Sequence, residues 1–210
     1  MGLIIHKKLN RECTLGVWQI TEDYEDLLAR IDLSREELDN FNSFRNPNRK
    51  LEWLSVRVLV RELTGSNIPI IYNQDRKPFL ADNSYHISIS HSRRFTAVLL
   101  SPDKRVGIDL EYMSHRISKI ADKYINETEE ITHNPVKLRY HLYIHWCAKE
   151  SLYKICDKQG LNFRQNLIIR PFVPAREGTL TGLVSTPDRH EEYELNYFRK
   201  NNYVIVWCCK

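Results

Sequence analysis

Asp109 and Glu111 stand two residues apart in Val106-Gly107-Ile108-Asp109-Leu110-Glu111. Side chains alternate along an extended chain, so both carboxylates leave the same face. Like charges at that spacing repel unless a cation lies between them. A hard divalent cation such as Mg²⁺, held by carboxylates and completed by substrate phosphates, is the chemistry such a pair serves. Gly107 clears the backbone ahead of the pair, which suits close approach of a ligand. Ile108 and Leu110 take the other face, into the core. The plain alternative is a solvated strand face that happens to carry two acids.

A second cluster falls on a helical pattern. At roughly 100° per residue, Leu138, Leu142, Trp146, Leu152, Tyr153 and Cys156 share one apolar arc. Glu150 lies at its edge, four residues after Trp146 and four before Lys154. Lys149 falls inside the arc, where an ammonium is costly unless it meets an anion. One alternative is an exposed Glu150–Lys154 pair with Lys149 reaching outward along its stem. A third carboxylate, Glu150, meeting Asp109 and Glu111 beside two lysines would instead make a metal–phosphate site.

Two short segments offer phosphate donors. Arg76-Lys77-Pro78 reads as a loop held extended by Pro78, and Ser90-His91-Ser92 reads as the place where a strand turns. Arg45, Arg49 and Lys50 read as a solvated face. His141 and His145 have the spacing of a zinc-binding helix, but Leu142 stands where the general base would be. Phosphate-loop, dinucleotide and nucleophile-elbow motifs are absent.

The elements that must position these groups follow from periodicity. Helices are expected over Asn48–Leu63, stopped by Thr64-Gly65, and over Pro135–Lys158, stopped by Gly160. Strands are expected over Tyr85–Ser90, Phe95–Leu100, Val106–Glu111, Leu167–Arg170, Tyr193–Phe198 and Tyr203–Cys208. Glu52, Trp53, Arg57 and Arg61 lie against His145, Trp146, Glu150 and Lys154 at a constant offset, a faint internal repeat that chance would also produce. If real, it predicts two similar lobes with a site in the cleft between them.

The 210 residues suffice for one large domain or two small ones. Thirty-one basic against 27 acidic residues leave a net charge of only +4, too mild for a surface that tracks nucleic acid. The N-terminal residues do not read as a secretory signal or a myristoylation site, and no apolar run approaches the ~20 residues of a membrane helix. Five cysteines without a C-x-x-C pair read as reduced thiols of a cytoplasmic protein.

Together, Val106–Glu111 and Trp146-Cys147-Ala148-Lys149-Glu150-Ser151-Leu152-Tyr153-Lys154 resemble the paired signature of the 4′-phosphopantetheinyl transferases, (V/I)-G-(I/V)-D-x-E and W-x-x-K-E-(S/A)-x-x-K. Lys77-Pro78 and Ser90-His91-Ser92 resemble coenzyme A-binding segments of the Sfp-type branch. Lys123–Glu129 resembles its basic-aromatic segment, which ends in an acidic pair. The length resembles the two-lobe pseudodimers of that branch, since the short trimeric holo-synthases are half as long.

The resemblance implies an α+β fold of two similar lobes, 1–103 and 104–210, related by pseudo-two-fold symmetry. Each would be a long helix packed on a small, mostly antiparallel sheet. It implies transfer of the 4′-phosphopantetheine arm of coenzyme A to a serine of an apo acyl or peptidyl carrier protein, with release of 3′,5′-ADP. Asp109, Glu111 and Glu150 would bind Mg²⁺ or Mn²⁺. Lys154, with Lys149, would balance phosphate charge, and Lys77, Pro78, Ser90 and His91 would hold coenzyme A. Glu150 would be the base. Arg76 departs from the glycine usual before Lys-Pro. The expected state is a cytoplasmic monomer without nucleic-acid or membrane partners; the competing reading is a non-catalytic relative that binds coenzyme A or a carrier protein.

Overall fold

Proline at the start and glycine just past the end bracket a helix, and both long helices show that grammar at the N-terminus. In the computed structural model, which describes residues 2–9, 12–157 and 160–210, the first long helix runs Pro47–Thr64. Asn46 caps it by accepting from Asn48 N–H, and Gly65, with φ 75°, closes it in the left-handed region. The second runs Pro135–Ile155, capped by Asn134. The expected end of this helix at Lys158 lies outside the described residues.

The chain divides into two units, residues 1–104 and 105–210. In the first, the elements are β1 (Leu3–Leu9), β2 (Cys13–Gln19), α1 (Tyr24–Leu28), α2 (Arg35–Ser43), α3 (Pro47–Thr64), β3 (Ile70–Tyr72), β4 (Pro78–Leu80), β5 (His86–Ser92) and β6 (Phe95–Ser101). A four-stranded antiparallel sheet runs β1-β2-β6-β5, and β3 and β4 form a separate hairpin. Helix α3 packs on β2 and β6, and its buried residues Trp53, Leu54, Val58 and Leu59 meet Trp18, Ile20, Val98 and Leu100 in one apolar cluster.

In the second unit, β7 (Val106–Tyr112) leads through a 3₁₀ turn, Ile117–Lys119, to α4 (Ala121–Tyr124) and α5 (Pro135–Ile155). Strands β8 (Leu167–Ile169), β9 (Glu177–Thr186), β10 (Arg189–Lys200) and β11 (Tyr203–Cys209) follow. The five-stranded sheet is antiparallel throughout, in the order β7-β11-β10-β9-β8. Helix α5 lies across β7 and β11, and Ile144, Ala148, Leu152 and Ile155 join Val204, Val206 and Cys208 in its core. The architecture is thus mixed α and β with antiparallel sheets.

Strand β9 escapes a reading by periodicity because Gly178 and Gly182 interrupt it. Gly182 has a packing reason: a Cβ there would come within 2.7 Å of Leu152 Cδ1 and 2.8 Å of Leu195 Cδ1. All five cysteines are free, and no helix among the described residues is long and apolar enough to cross a membrane.

Candidate active site

The register of β7 against β11 settles where the carboxylates point. Asp109 lies opposite Val206, Glu111 opposite Val204 and Gly107 opposite Cys208. Directly opposed residues share a face, and Val204, Val206 and Cys208 belong to the core beneath α5. The acidic pair therefore faces the helix. This corrects the expectation that Ile108 and Leu110 alone turn inward. Both are 0% exposed on the opposite face, so β7 is covered on two sides at Asp109, while Glu111 is half-buried.

Gly107 is likewise re-explained. A Cβ at this position would stand 2.1 Å from Ser151 O and 3.2 Å from Ile155 Cβ. What approaches the bare backbone is α5 itself, not a ligand. Ser151 completes the contact by donating from Oγ to Cys147 O at 2.8 Å and to Val206 O at 3.0 Å.

Burying a carboxylate needs a partner. Asp109 is 4% exposed, and Lys154 Nζ sits 2.8 Å from its Oδ1 while also donating to Ile108 O at 2.8 Å. Cys147, one turn before Ser151 on α5, feels the pair directly. Burial first, then the charges of Asp109 and Glu111 and a hydrogen bond to Asp109, push its thiol well above the usual range. Glu150 is half-buried and lies three residues from Cys147 and four from Lys154, neighbouring positions on the same side of the helix. Of the residues expected in one site, Asp109 and Lys154 thus meet directly, and Glu111 shares the face of Asp109.

The three carboxylates do not close into a ready-made metal cage: among the described residues, no group of three His, Cys, Asp or Glu forms one. The donor chemistry nevertheless fits a hard cation, which takes one or two carboxylates and fills its shell with phosphate oxygens and water. Asp109 and Glu111 supply that pair from one strand.

Lys149 occupies a different place from the one expected. It is 0% exposed, and its ammonium donates to Tyr124 O, to Phe163 O at 3.1 Å and to Glu129 Oε2 at 2.7 Å. Its three protons are taken by the protein itself, so Lys149 anchors the segment after α4 instead of reaching a coenzyme A phosphate. Glu129, quoted from the sequence only as the acidic end of the Lys123–Glu129 segment, is the hub of this contact. It also accepts from Asn126 N–H at 2.6 Å and Ile169 N–H at 2.7 Å, and His145 Nδ1 lies 3.5 Å from its Oε1. Burial works to raise the Glu129 carboxyl, but His145, Lys149 and the Asn126 N–H outweigh it and hold it below the usual carboxylate range. The signal was present in the lysine on the apolar arc; its anion lay twenty residues upstream.

In the first unit, Lys77 and Pro78 sit at the β3–β4 hairpin, where Asn73 Oδ1 accepts from Lys77 N–H at 2.8 Å. Arg76 has φ 59°, the left-handed region that favours glycine, so the departure at this position keeps the turn and replaces its easiest residue. Ser90 is buried and His91 half-buried, both within β5 and not in a turn. Arg49 Nη1 lies 2.9 Å from His91 Nε2, and Glu52 Oε2 lies 3.4 Å from His91 Nδ1. A guanidinium only donates, so Nε2 accepts and the ring proton sits on Nδ1, facing Glu52.

This geometry meets one finding from comparison with known proteins. Residues 105–208 match the model of the 4′-phosphopantetheinyl transferase superfamily, a span that is nearly the whole second unit and holds the Asp109–Lys154 pair. No curated protein matches the chain. The second unit is therefore similar to a superfamily of enzymes that transfer phosphopantetheine from coenzyme A.

Proposed function

We propose that the protein is an Sfp-type, two-lobe transferase that moves the 4′-phosphopantetheine arm of coenzyme A to a serine of an apo acyl or peptidyl carrier protein. The observation that carries this reading is a buried carboxylate, Asp109, held by Lys154 at 2.8 Å on the helix-facing side of β7, with Glu111 beside it, inside the segment that matches the superfamily. Such a site has no structural need for two acids against a helix; it has a chemical one.

Asp109, Glu111 and Glu150 would hold Mg²⁺ or Mn²⁺, which when bound supplies charge neutralisation to the coenzyme A diphosphate. Lys154 holds Asp109 in place through its 2.8 Å contact, and sets a positive charge where the departing 3′,5′-ADP gains a negative one. Glu150 takes the proton of the carrier serine hydroxyl as that oxygen bonds to the β-phosphorus, while the bond from that phosphorus to the ADP oxygen breaks. Lys77, Pro78, Ser90 and His91 of the first unit hold coenzyme A. The working protein is a cytoplasmic monomer.

Incubation with coenzyme A, Mg²⁺ and a panel of apo carrier proteins should add the mass of one phosphopantetheine arm. Asp109→Asn and Glu150→Ala should each lower that transfer by about a hundredfold or more, the scale of losing one preorganised charged group. Coenzyme A raising the melting temperature without any mass shift on the panel would replace a transferase with a binding protein.

A further inference from the structure

At the N-terminal end of α5 an open cavity of about 580 Å³ is lined by Lys137, Arg176 and Arg199, with Val136, Tyr140 and Asn201 among its walls. Its volume is that of a small-ligand site. No Asp or Glu lines it, and none of the three cations pairs with a carboxylate among the described residues.

The walls are fixed by the fold. Tyr140 Oη donates to Ala175 O at 2.8 Å and to Arg176 O at 3.3 Å. Arg199 N–H donates to Arg176 O at 2.8 Å, Arg199 Nε donates to Asn201 O at 2.9 Å, and the Arg199 guanidinium lies 5.6 Å from the centre of the Tyr140 ring. Helix start, loop and β10–β11 turn are thereby tied around one space.

Lys137, Arg176 and Arg199 are all exposed, so their charges stand open to an anion from solution. The first turn of α5 contains no acidic residue, and its cap is a neutral Asn134. The positive end of the helix dipole, Lys137 and two arginines converge on one cavity, where ordinary proteins place Asp or Glu. Lys137 and Lys154 are seventeen positions apart on α5, about 25 Å at 1.5 Å per residue, so this is not the Asp109 site.

We infer that this cavity binds a small, multiply charged phosphate compound, with Arg176 and Arg199 gripping the phosphate oxygens and Lys137 adding charge. The test is an amide-resolved NMR titration of the full chain with inorganic pyrophosphate, in 0.1 M salt with divalent ions chelated. Saturable shifts of amides around 136–140, 174–176 and 199–201 are expected, weakened at least tenfold in Arg176→Gln/Arg199→Gln and unchanged in Arg164→Gln, an exposed arginine outside the cavity. Absent or non-saturating shifts, or shifts that survive the double substitution, overturn the inference. Equal binding of citrate overturns the phosphate preference, and binding of an octaglutamate peptide in place of pyrophosphate makes the site one for acidic polypeptide. Because the readout is by residue and needs no transfer, it stands or falls separately from the proposed activity.

Discussion

Strand β2 of the first unit and strand β7 of the second do the same mechanical work with opposite chemistry. Each lies under the long helix of its unit, and each pairs antiparallel with the last strand of its sheet, β6 or β11. Each carries a glycine that faces the helix. Two residues beyond Gly16 comes Trp18, buried in the apolar cluster; two beyond Gly107 comes Asp109. The first unit finishes its helix–strand interface with an indole, the second with a carboxylate and a lysine. A fold needs the first solution only. The second spends burial on charge, and that is why the second unit, more than the first, reads as the seat of chemistry.

The buried ion pairs extend the contrast. Arg57 Nε meets Glu37 Oε1 at 2.8 Å with its guanidinium 3.2 Å from the Trp53 ring centre, while Lys149 and Glu129 pair at 2.7 Å with both side chains wholly buried. Lys149→Met strands Glu129 without its counter-charge and should cost about 3–5 kcal/mol, read as a loss of denaturation midpoint. Glu37 sits nearer water, so Arg57→Met should cost about 2 kcal/mol. Equal losses would erase the distinction between the units.

The glycines sharpen it next. Gly107→Ala drives a methyl into the Ser151 carbonyl, which only a shift of α5 relieves, at about 3 kcal/mol. Gly16→Ala meets the tips of Leu63 and Leu59 at 2.7 and 2.8 Å, which rotamer changes absorb at about 1 kcal/mol. Thermal unfolding of the two variants side by side decides the order.

Acid should act mainly on the second unit. Burial, aided by His145, pulls the His141 imidazole down to about 4 from 6.5. Between those values the unfolded chain binds a proton that the folded chain refuses, so stability falls as pH drops from about 6.5 to about 4 and is complete above that window. His141 Nδ1 accepts from Thr132 N–H at 3.1 Å; His141→Asn keeps an acceptor without titrating and should flatten the slope in chemical denaturation across that window. The smallest effect is expected at the hairpin: Arg76→Gly relieves a left-handed arginine and should stabilise by about 0.5 kcal/mol.

Much of this was legible in the amino-acid order. Pro47 and Pro135 mark helix starts, Gly65 a helix end, and the spacing of Asp109, Glu111, Glu150 and Lys154 brought them to one strand and one helix. What failed has physical causes. A strand buried on both faces has no polar side, so alternation at Ile108 and Leu110 could not say which way Asp109 points. The helical wheel put Lys149 in an apolar arc and could not tell an internal carboxylate from an external phosphate. Glycines that admit Leu152 and Leu195 look, in a string of letters, like the end of a strand.

The grip on Lys149 also discriminates between the two kinds of cation. Its three acceptors, two carbonyls and one carboxylate, converge on a single nitrogen, the pyramidal pattern of an ammonium. A guanidinium spreads its protons across a plane over three nitrogens and cannot present them to one point. Position 149 is therefore a keyhole cut for lysine, closed to the other permanent cation of the amino-acid alphabet although the charge is the same.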